Sequence, residues 1–381
     1  MSVKIAFASS LDPHDRRSWS GTYYSMFHSL EKHCGEVTWI GPTKRTLLAL
    51  GWIFNKVSTA TLHKRYDHQH SMLLSTYYAR QLGRRLRQET YDIVFAPAAS
   101  TEVASLETSV PIVYAPDATY MLIMDYYEMY SNLFDWSIQE GKSLDLRTMK
   151  KARALVYPSS WGACSAVEDG GADRSIVHIV PYGANLEDIP SKEVILSKRS
   201  ADRCRLLFLG VNWERKGGMI AFETLLALER LGVPCDLTVV GCVPPPGISH
   251  PRMKVHPFLD KNAAEQRGRL SEILLNSDFL LLPTRAEAFG IVFCEASAFG
   301  LPSITTNTGG VAGAVEEGKN GYLLGLDAGG KEYARRIADL YHDRASYRRL
   351  VESTRQLYDE KLNWDAWGRD MKKIFDGVLG Q

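Results

Sequence analysis

A chain of 381 residues exceeds the size at which one hydrophobic core usually keeps growing, so two domains of ordinary size are expected. Hydrophobic residues make up 45% and charged residues 23%, which excludes a disordered, collagen-like or disulfide-stapled chain. The formal net charge of +1 excludes a global field that would draw the molecule to nucleic acid, so no nucleic-acid partner is expected.

Short apolar runs rich in β-formers alternate with longer helical patterns in two successive blocks, which is typical of doubly wound parallel sheets. In the first block, strands are predicted at residues 3–9, 36–40, 93–96, 111–114, 154–158 and 176–180. In the second block, they are predicted at 205–209, 236–240, 253–256, 279–282, 303–306 and 321–324. The sequence therefore predicts an α/β fold of two Rossmann-like domains, followed by a helix over residues 364–379.

A turn cluster at residues 181–185 and a polar stretch at 187–203 separate the two blocks, and we place an interdomain hinge in that stretch. The expected domains are residues 1–183 and 184–363, with a C-terminal helix at 364–381 that packs back toward the N-terminal domain. A parallel sheet binds ligands outside the carboxyl ends of its strands. Substrates are therefore expected in a cleft between the domains, against loops that follow strands.

Cysteine usage and the N-terminus bear on the compartment. The six cysteines are scattered, form no C-x-x-C pair and are predicted to be free, buried thiols, as in a reducing cytosol. The first residues lack the apolar core of a signal peptide, and no uncharged apolar run reaches the roughly 18 residues that a membrane-spanning helix needs. These features predict a cytoplasmic protein.

The strongest chemical pattern follows the strand predicted at 279–282. Glu287 and Glu295 stand on either side of Gly290, and a helical apolar stretch follows the glycine. This spacing places Glu287 in a loop and Glu295 about two turns into a helix, with both carboxylates facing one cleft. Carboxylates accept hydrogen bonds from sugar hydroxyls, and the helix N-terminus after Gly290 offers N–H groups to a phosphate.

The E-x7-E arrangement of these glutamates resembles the motif of glycosyltransferase family four, a large family of retaining enzymes with the GT-B architecture. The segment from Arg205 to Gly218, which carries Arg215 and Lys216, and the turn at 181–185 are similar to the corresponding parts of that family. The resemblance covers residues 177–325, whereas the N-terminal half matches in layout and in a few loop residues. It implies a GT-B fold with an N-terminal acceptor domain and a C-terminal nucleotide-sugar domain.

The resemblance implies that Glu295 holds the donor ribose and Glu287 the hydroxyls of the transferred sugar. Arg215 and Lys216 would neutralise the diphosphate, and physical chemistry independently favours cations where a leaving group develops negative charge. The donor-binding residues expected on this basis are Gly21, Asn212, Arg215, Lys216, Leu259, Glu287, Phe289, Gly290, Ile291, Val292 and Glu295. The expected catalytic residues are Asp117, Arg215, Lys216 and Glu287.

The chain contains no D-x-D pair, the spacing that metal-dependent glycosyltransferases of the GT-A class use. The resemblance implies metal-independent, retaining transfer of a hexose-type sugar, without a cofactor, in cell-envelope polysaccharide synthesis. Backbone atoms near Phe258 and Leu259 would recognise the base, so UDP- and GDP-sugars both fit. The departing phosphate oxygen would take the proton of a glycan, lipid-linked or small-molecule acceptor. A carboxylate nucleophile such as Asp117 stays an alternative.

Two loops of the N-terminal half carry candidate site residues. Gly21 precedes a helix predicted to begin near Tyr23 and resembles the glycine loop of the family, where a residue without Cβ lets the backbone approach the donor. Asp117 follows the fourth strand, at a place where many relatives carry a histidine that contacts the sugar. The aspartate could accept hydrogen bonds from a sugar or an acceptor. The alternatives are a turn glycine and a helix N-cap, respectively.

Residues 40–90 contain nine lysines and arginines against Asp67 and Glu89, and residues 44–56 combine cations with a short apolar and aromatic stretch. Peripheral membrane contact through residues 44–56 is one interpretation, but a core helix with solvated faces is favoured. The histidines at 63, 68 and 70 match no usual zinc spacing, so no metal site is predicted.

Other functions are compatible with doubly wound sheets. The first βα turn, residues 8–13, lacks the G-x-G-x-x-G pattern of dinucleotide-dependent oxidoreductases, and the chain has no P-loop. A non-catalytic sugar-nucleotide-binding protein would be expected to lose Glu287 or the Arg215–Lys216 pair, and both are present. An epimerase or phosphorylase of the same architecture stays open, and the sequence does not indicate an oligomeric state.

Overall fold

The computed structural model describes residues 2–41, 46–197 and 202–380. It contains two compact units: the N-terminal unit, Met1–Pro181 with Trp367–Gln381, and the C-terminal unit, Tyr182–Ala366. The stretch at 187–203, predicted to be a hinge, lies inside the C-terminal unit and contains helix α8, Lys192–Leu196. Ile195 of α8 is buried, residues 198–201 of the stretch lie outside the described residues, and the hinge stays a prediction.

The N-terminal unit is built on a parallel six-stranded sheet in the order β2-β1-β3-β4-β5-β6. Its strands are β1 Val3–Phe7, β2 Gly35–Trp39, β3 Ile93–Pro97, β4 Ile112–Ala115, β5 Ala154–Tyr157 and β6 Val177–Ile179. Its helices are α1 Thr22–His33, α2 Thr46–Leu62, α3 Met72–Leu86, α4 Ser100–Val103, α5 Tyr120–Ile123, α6 Asp135–Lys151 and α7 Ser160–Glu168. The central strands β3, β4 and β5 are buried throughout, as expected for a parallel sheet covered on both faces.

The C-terminal unit repeats this design with the order β12-β11-β10-β7-β8-β9. Its strands are β7 Cys204–Leu209, β8 Cys235–Val240, β9 Met253–His256, β10 Phe279–Leu282, β11 Ser303–Thr306 and β12 Gly321–Leu324. After α8 come α9 Gly218–Arg230, α10 Ala264–Asn276, α11 Ile291–Ala298, α12 Gly330–His342 and α13 Arg344–Glu360. The prediction of two Rossmann-like domains is confirmed, since each predicted strand is present with ends shifted by at most two residues.

Each sheet has one place where the strand order reverses. In the N-terminal unit, β1 pairs with β2 on one side and β3 on the other. In the C-terminal unit, β7 lies between β8 and β10, with Leu207 in register with Leu280. The loops that leave such neighbouring strands diverge to opposite faces of the sheet, which opens a crevice at the carboxyl ends where ligands bind. A ligand-binding site is therefore expected in the crevice beside β1 and β3 or in the crevice beside β7 and β10.

The last helix, α14 Trp364–Leu379, continues beyond the C-terminal unit into the N-terminal one. From Trp367 onward its apolar stripe belongs to the N-terminal core, where the rings of Trp367 and Phe375 lie 6.0 and 6.1 Å from Phe95. Across the described ranges, no helix combines the length and apolar character needed to cross a bilayer.

The cysteines are only partly as predicted. Cys34, Cys204, Cys235 and Cys294 are buried, and burial raises the pKa of the Cys34 thiol to about 12. Cys164 is exposed on α7, and Cys242 is partly exposed. The prediction of uniformly buried thiols is therefore corrected, because α7 turns Cys164 away from the sheet.

Candidate active site

The crevice of the C-terminal unit is formed by the loop after β7, residues 210–217, and the loop after β10, residues 283–290. Backbone hydrogen bonds hold the two loops together, since the N–H of Arg285 donates to the carbonyl of Arg215 at 2.7 Å. The guanidinium of Arg215 also donates to the carbonyl of Ala286 at 2.8 Å. Arg215 and Lys216 lie on the first loop and Glu287 on the second. The hydrogen bonds between the loops therefore hold these residues close together.

Two cations converge on Glu287. The ammonium of Lys216 donates to Oε2 of this carboxylate, and Nη1 of Arg215 lies 3.5 Å from the same atom. The Lys216 side chain is 8% exposed, and the carboxylate is 13% exposed. Because a buried charge needs a partner, the three side chains fix one another in place. The site thus combines a carboxylate that can accept sugar hydroxyls with cations that can reach a phosphate.

The remaining predicted residues of these loops have defined places. Oδ1 of Asn212 accepts the backbone N–H of Arg215 at 2.7 Å, so its side chain shapes the loop that presents the basic pair. The N–H of Gly310 donates to the carbonyl of Glu287 at 3.0 Å, which ties the Gly309–Gly310 turn to the site. Phe289 is buried, with its ring 5.2 Å from Tyr182. The loops therefore rest on a rigid core.

Helix α11 begins where the sequence predicted. Gly290 is its N-cap, with a φ of 92°, and a Cβ at this position would lie 2.5 Å from the ring of Phe293. Only glycine fits both constraints. The first amides of the helix, at Ile291 and Val292, have no acceptor in a preceding turn and lie partly exposed. They offer donors and a positive dipole end beside Glu287.

Glu295, the second predicted glutamate, lies on α11 with its side chain 4% exposed. Its carboxylate forms an ion pair with Lys261, whose Nζ is 2.5 Å from Oε1. Lys261 follows β9 and was missed by sequence reasoning, although it lies only two positions beyond Leu259, which was singled out. Leu259 is partly buried, while the adjacent Phe258 is 63% exposed. The structure thus places the ammonium of Lys261 beside Glu295, which was predicted to bind the donor.

In the N-terminal unit, Gly21 is the N-cap of α1 with a φ of 90°. The two residues before it, Trp19 and Ser20, also have left-handed backbone, with φ of 47° and 57°. Left-handed conformation in non-glycine residues is unfavourable, and such strain clusters at functional sites. Gly21 therefore lies in a turn that requires left-handed backbone, and its approach to a donor stays a prediction.

Asp117 is partly exposed and follows β4. The helix N-cap interpretation is wrong for this residue, because Thr119 caps α5 by accepting the N–H of Leu122 at 3.4 Å. Burial raises the pKa values of Tyr23 and Tyr130, followed by the charge of Glu102 at Tyr23 and of Asp67 at Tyr130. The charge of Asp117 adds a smaller effect at both phenols, so Asp117 lies near them. This places it among polar groups at the carboxyl end of the sheet.

Glu102 occupies the crevice of the N-terminal unit and was not predicted. It lies on α4, after β3, and its Oε1 accepts the N–H of Ser10, after β1, at 2.9 Å. Burial raises the pKa of Glu102, an effect that the hydrogen bond from Ser10 partly offsets. The carboxyl group therefore bridges the two loops that diverge at the reversal of strand order.

An Asp–His pair lies nearby. Nδ1 of His70 is 2.8 Å from Oδ2 of Asp67, and the hydroxyl of Tyr120 donates to the same oxygen at 3.0 Å. Burial acts to raise the pKa of Asp67, but the charge and hydrogen bond of His70 outweigh it, and the pKa is lowered. Burial acts to lower the pKa of His70, but Asp67 outweighs it, and the pKa is raised. The i, i+3 spacing of Asp67 and His70 allows this ion pair, which was not predicted from the sequence.

Two solved structures share the fold of this chain. Sucrose-phosphate synthase from Thermosynechococcus elongatus superposes with a TM-score of 0.69 at 16% identity, covering 99% of each chain. Anabaena HepE, solved in complex with UDP and glucose, superposes with a TM-score of 0.62 at 15% identity, covering 98% of this chain and 100% of its own. Two parallel sheets of this order, with sites at the carboxyl ends, define the GT-B class of folds.

One segment of the sequence matches a known family. Residues 263–357, which include Glu287 and Glu295, match the profile of the family Glycosyl transferases group 1. D-inositol 3-phosphate glycosyltransferase of Paenarthrobacter aurescens is 26% identical over 219 residues, covering 54% of this chain and 52% of the relative. The chain spans between about a quarter and a half of the length of the first curated relatives. The segment that carries Glu287 and Glu295 is thus similar to the glycosyl transferases group 1 family, and the whole chain shares its fold with glycosyltransferases of the GT-B class.

Proposed function

We propose that the protein transfers a hexose-type sugar from a nucleoside diphosphate donor to a hydroxyl acceptor, with retention of anomeric configuration. The observation that carries the proposal is the convergence of Arg215 and Lys216 on Glu287 at the crevice of the C-terminal unit. HepE, which shares the fold, is a protein solved with UDP and glucose, and this supports a nucleotide-sugar donor. The donor base, UDP or GDP, is left to experiment.

In the proposed donor site, different residues bind the diphosphate, the hexose and the ribose of the donor. The diphosphate lies against Arg215, Lys216 and the first amides of α11, where fixed cations and a helix N-terminus stabilise the leaving group. Glu287 accepts hydrogen bonds from the hexose, and Glu295 from the ribose. Because two side-chain cations serve the diphosphate, the proposal requires no metal ion and no cofactor.

The proposed reaction is a front-face substitution. The bond between the anomeric carbon and the diphosphate oxygen breaks, the acceptor oxygen bonds to the same face of that carbon, and the acceptor proton passes to the departing phosphate oxygen. Arg215 and Lys216 stabilise the charge that develops on the diphosphate. A covalent route through Asp117 is the alternative, and it predicts a glycosyl-enzyme intermediate that mass spectrometry would detect on this residue.

We assign the acceptor to the N-terminal unit. Asp117, Glu102 and the Asp67–His70 pair place carboxylate and imidazole groups at the carboxyl end of its sheet, and these groups bind hydroxyls well. A glycan, a lipid-linked sugar or a small polyol fits this chemistry. We propose a place at the cytoplasmic side of the cell envelope, in polysaccharide synthesis.

Isothermal titration with UDP, GDP and ADP, first in EDTA and then with magnesium, tests the proposal. We expect one nucleotide to bind in EDTA, with weaker binding to Arg215→Ala and unchanged binding to Arg335→Ala, a control at an exposed guanidinium on α12. Absence of binding to all three nucleotides would contradict a donor site. Turnover of the matching nucleotide-sugar to an isomer without acceptor, seen by NMR, would instead show an epimerase.

A further inference from the structure

Helix α2 differs from an ordinary surface helix, because it turns small and polar residues inward and apolar residues outward. The side that it turns toward the protein carries small and polar residues, Gly51, Asn55 and Ser58. A Cβ at Gly51 would lie 2.7 Å from Cβ of His68, and Oδ1 of Asn55 accepts the N–H of Tyr66 at 2.8 Å. Ser58 is buried and donates to the carbonyl of Asn55 at 3.1 Å. Helix α2 is therefore held to residues 66–68 by the close approach of Gly51 to His68 and by the hydrogen bond from Tyr66 to Asn55.

The outward side of α2 is apolar. Leu50, Ile53, Phe54 and Val57 follow the i, i+3, i+4, i+7 spacing of one helix face, and with Trp52 and Leu62 they are each 47–62% exposed. At the start of the helix, Leu47 and Leu48 pack on the core of the unit. The favoured interpretation as a core helix is therefore wrong for residues 50–57, while Lys44 and Arg45 of the predicted segment lie outside the described residues. A contiguous apolar face of this kind marks an interaction surface.

The apolar face continues across neighbouring aromatic rings. Phe54 lies 5.3 Å from Tyr66, and Tyr66 lies 5.0 Å from Trp136, which is about half exposed. Phe134 stacks on Trp136 at 5.8 Å. Aromatic side chains with a polar atom, such as Tyr and Trp, are favoured at the boundary between hydrocarbon and water. The patch therefore has the composition of an interfacial surface.

Cations accompany this face. The described residues 46–66 contain three basic residues, Lys56, Lys64 and Arg65, and no aspartate or glutamate. The ammonium of Lys56 lies 3.9 Å from the ring centre of Trp52, so this exposed pair adds a charge and an aromatic ring on another side of α2 from Leu50, Ile53, Phe54 and Val57. Arg65 forms an ion pair with Glu128, at 2.8 Å. An apolar helix face with basic residues around it matches the chemistry of an anionic lipid surface.

We propose that α2 lies flat on an anionic bilayer, with Leu50, Ile53, Phe54 and Val57 inserted at the level of the headgroups. Two copies of this chain would fit the face less well, since an isologous contact would bring the basic residues of one α2 against those of the other. Insertion parallel to the membrane plane needs only one apolar face, which α2 provides. The proposal concerns the surface of the N-terminal unit and stands independently of the donor chemistry.

The test is co-sedimentation of the full-length protein with vesicles of phosphatidylcholine alone and of phosphatidylcholine mixed with phosphatidylglycerol. We expect binding to the mixed vesicles that weakens at high salt, and much less binding to phosphatidylcholine alone. The double variant Ile53→Ser/Phe54→Ser should lower the partition coefficient about tenfold or more. Lys56→Glu should weaken binding to the mixed vesicles selectively. Leu231→Ser, at a half-exposed leucine of the C-terminal unit, is the matched control and should bind like the wild type.

Thermal unfolding shows whether each variant is folded, without reference to nucleotide binding. Light scattering without vesicles distinguishes lipid from a second copy. Wild-type protein that binds neither vesicle, or a folded Ile53→Ser/Phe54→Ser variant that binds as well as wild type, would overturn the proposal. A wild-type dimer that this double variant converts to monomer would also overturn it and would assign the face to self-association.

Discussion

The ammonium of Lys261 and the buried carboxylate of Glu295 form an ion pair with 2.5 Å between Nζ and Oε1. Lys261 is one-third exposed, whereas Glu295 is almost fully covered. The lysine therefore lies on the solvent side of the carboxylate that we assign to the donor ribose. A ribose can reach Glu295 only if Lys261 moves aside or shares the carboxylate with it.

Lys261→Met should destabilise the protein, because the substitution leaves a buried carboxylate without its cation. We expect a loss of about 1–3 kcal/mol in the free energy of unfolding. The double variant Lys261→Met/Glu295→Gln should recover part of that loss, since no uncompensated charge then remains. Urea unfolding of Lys261→Met, of Glu295→Gln and of the double variant measures the coupling free energy between the two side chains. Equal stability of Lys261→Met and wild type would show that the ion pair contributes nothing.

Glu295→Ala should weaken nucleotide binding, because the ribose loses hydrogen bonds to an ionised acceptor. The expected cost is roughly 1.5–3 kcal/mol, or about 10- to 150-fold in Kd. Isothermal titration with the preferred nucleotide measures it. Glu272→Ala is the control, since this exposed glutamate on α10 pairs only with Arg269 among the contacts described. Unchanged affinity of Glu295→Ala would refute the ribose role.

Lys216→Met should reduce turnover about 100-fold or more, because it removes a fixed cation from the developing charge of the leaving group. It should also weaken binding of the nucleoside diphosphate far more than binding of the nucleoside. Steady-state kinetics and titration with both ligands measure these effects. Lys331→Met, at an exposed position on α12, is the control. Equal losses for diphosphate and nucleoside would place Lys216 away from the phosphates.

The Asp67–His70 pair predicts a window of pH in which it stabilises the fold. The pKa of Asp67 is lowered, so its contribution is present above the usual carboxyl range and is lost as the pH falls below about 4. The pKa of His70 is raised, so its contribution is full below about 6.5 and is lost as the pH rises through the raised value.

His70→Gln should therefore lose stability near pH 5–6 relative to wild type, and the difference should shrink at alkaline pH. Urea unfolding from pH 5 to pH 9 checks this. His63→Asn, at an exposed histidine of the same segment, serves as the control. A stability difference that is constant across this range would show that the protonated histidine is not the stabilising form.

Gly290→Ala should destabilise the site for two separable reasons. The φ of 92° strains any residue with a Cβ, and the Cβ would also collide with the ring of Phe293. Gly318→Ala isolates the strain, because Gly318 has a φ of 72° but no atom within 4 Å of the added Cβ. We expect about 1–2 kcal/mol for Gly318→Ala, and a larger loss together with weaker nucleotide binding for Gly290→Ala. Equal effects in thermal unfolding would show that Phe293 moves freely.

The sequence by itself determined the two sheets and half of the site. Strand runs buried on both faces are continuous apolar segments, so all the predicted strands are present, and the order of loops followed from them. Glu287, Arg215 and Lys216 were predicted from the E-x7-E spacing and from the resemblance to glycosyltransferase family four. Each lies in a loop directly after a strand, and the reversal of strand order brings these loops together. The strands and these loop residues could be predicted because the patterns that indicate them extend over only a few neighbouring residues.

Tertiary structure decided what depends on contacts between distant segments. Lys261 reaches Glu295 across 34 positions, and Glu102 reaches Ser10 across 92, so no local spacing could reveal either contact. The orientation of α2 was also undecided, because its sequence is apolar on most sides, and an apolar run cannot show which face turns inward. Packing determined the orientation, since Gly51 allows close approach to His68 and Asn55 accepts the N–H of Tyr66, both in the following segment.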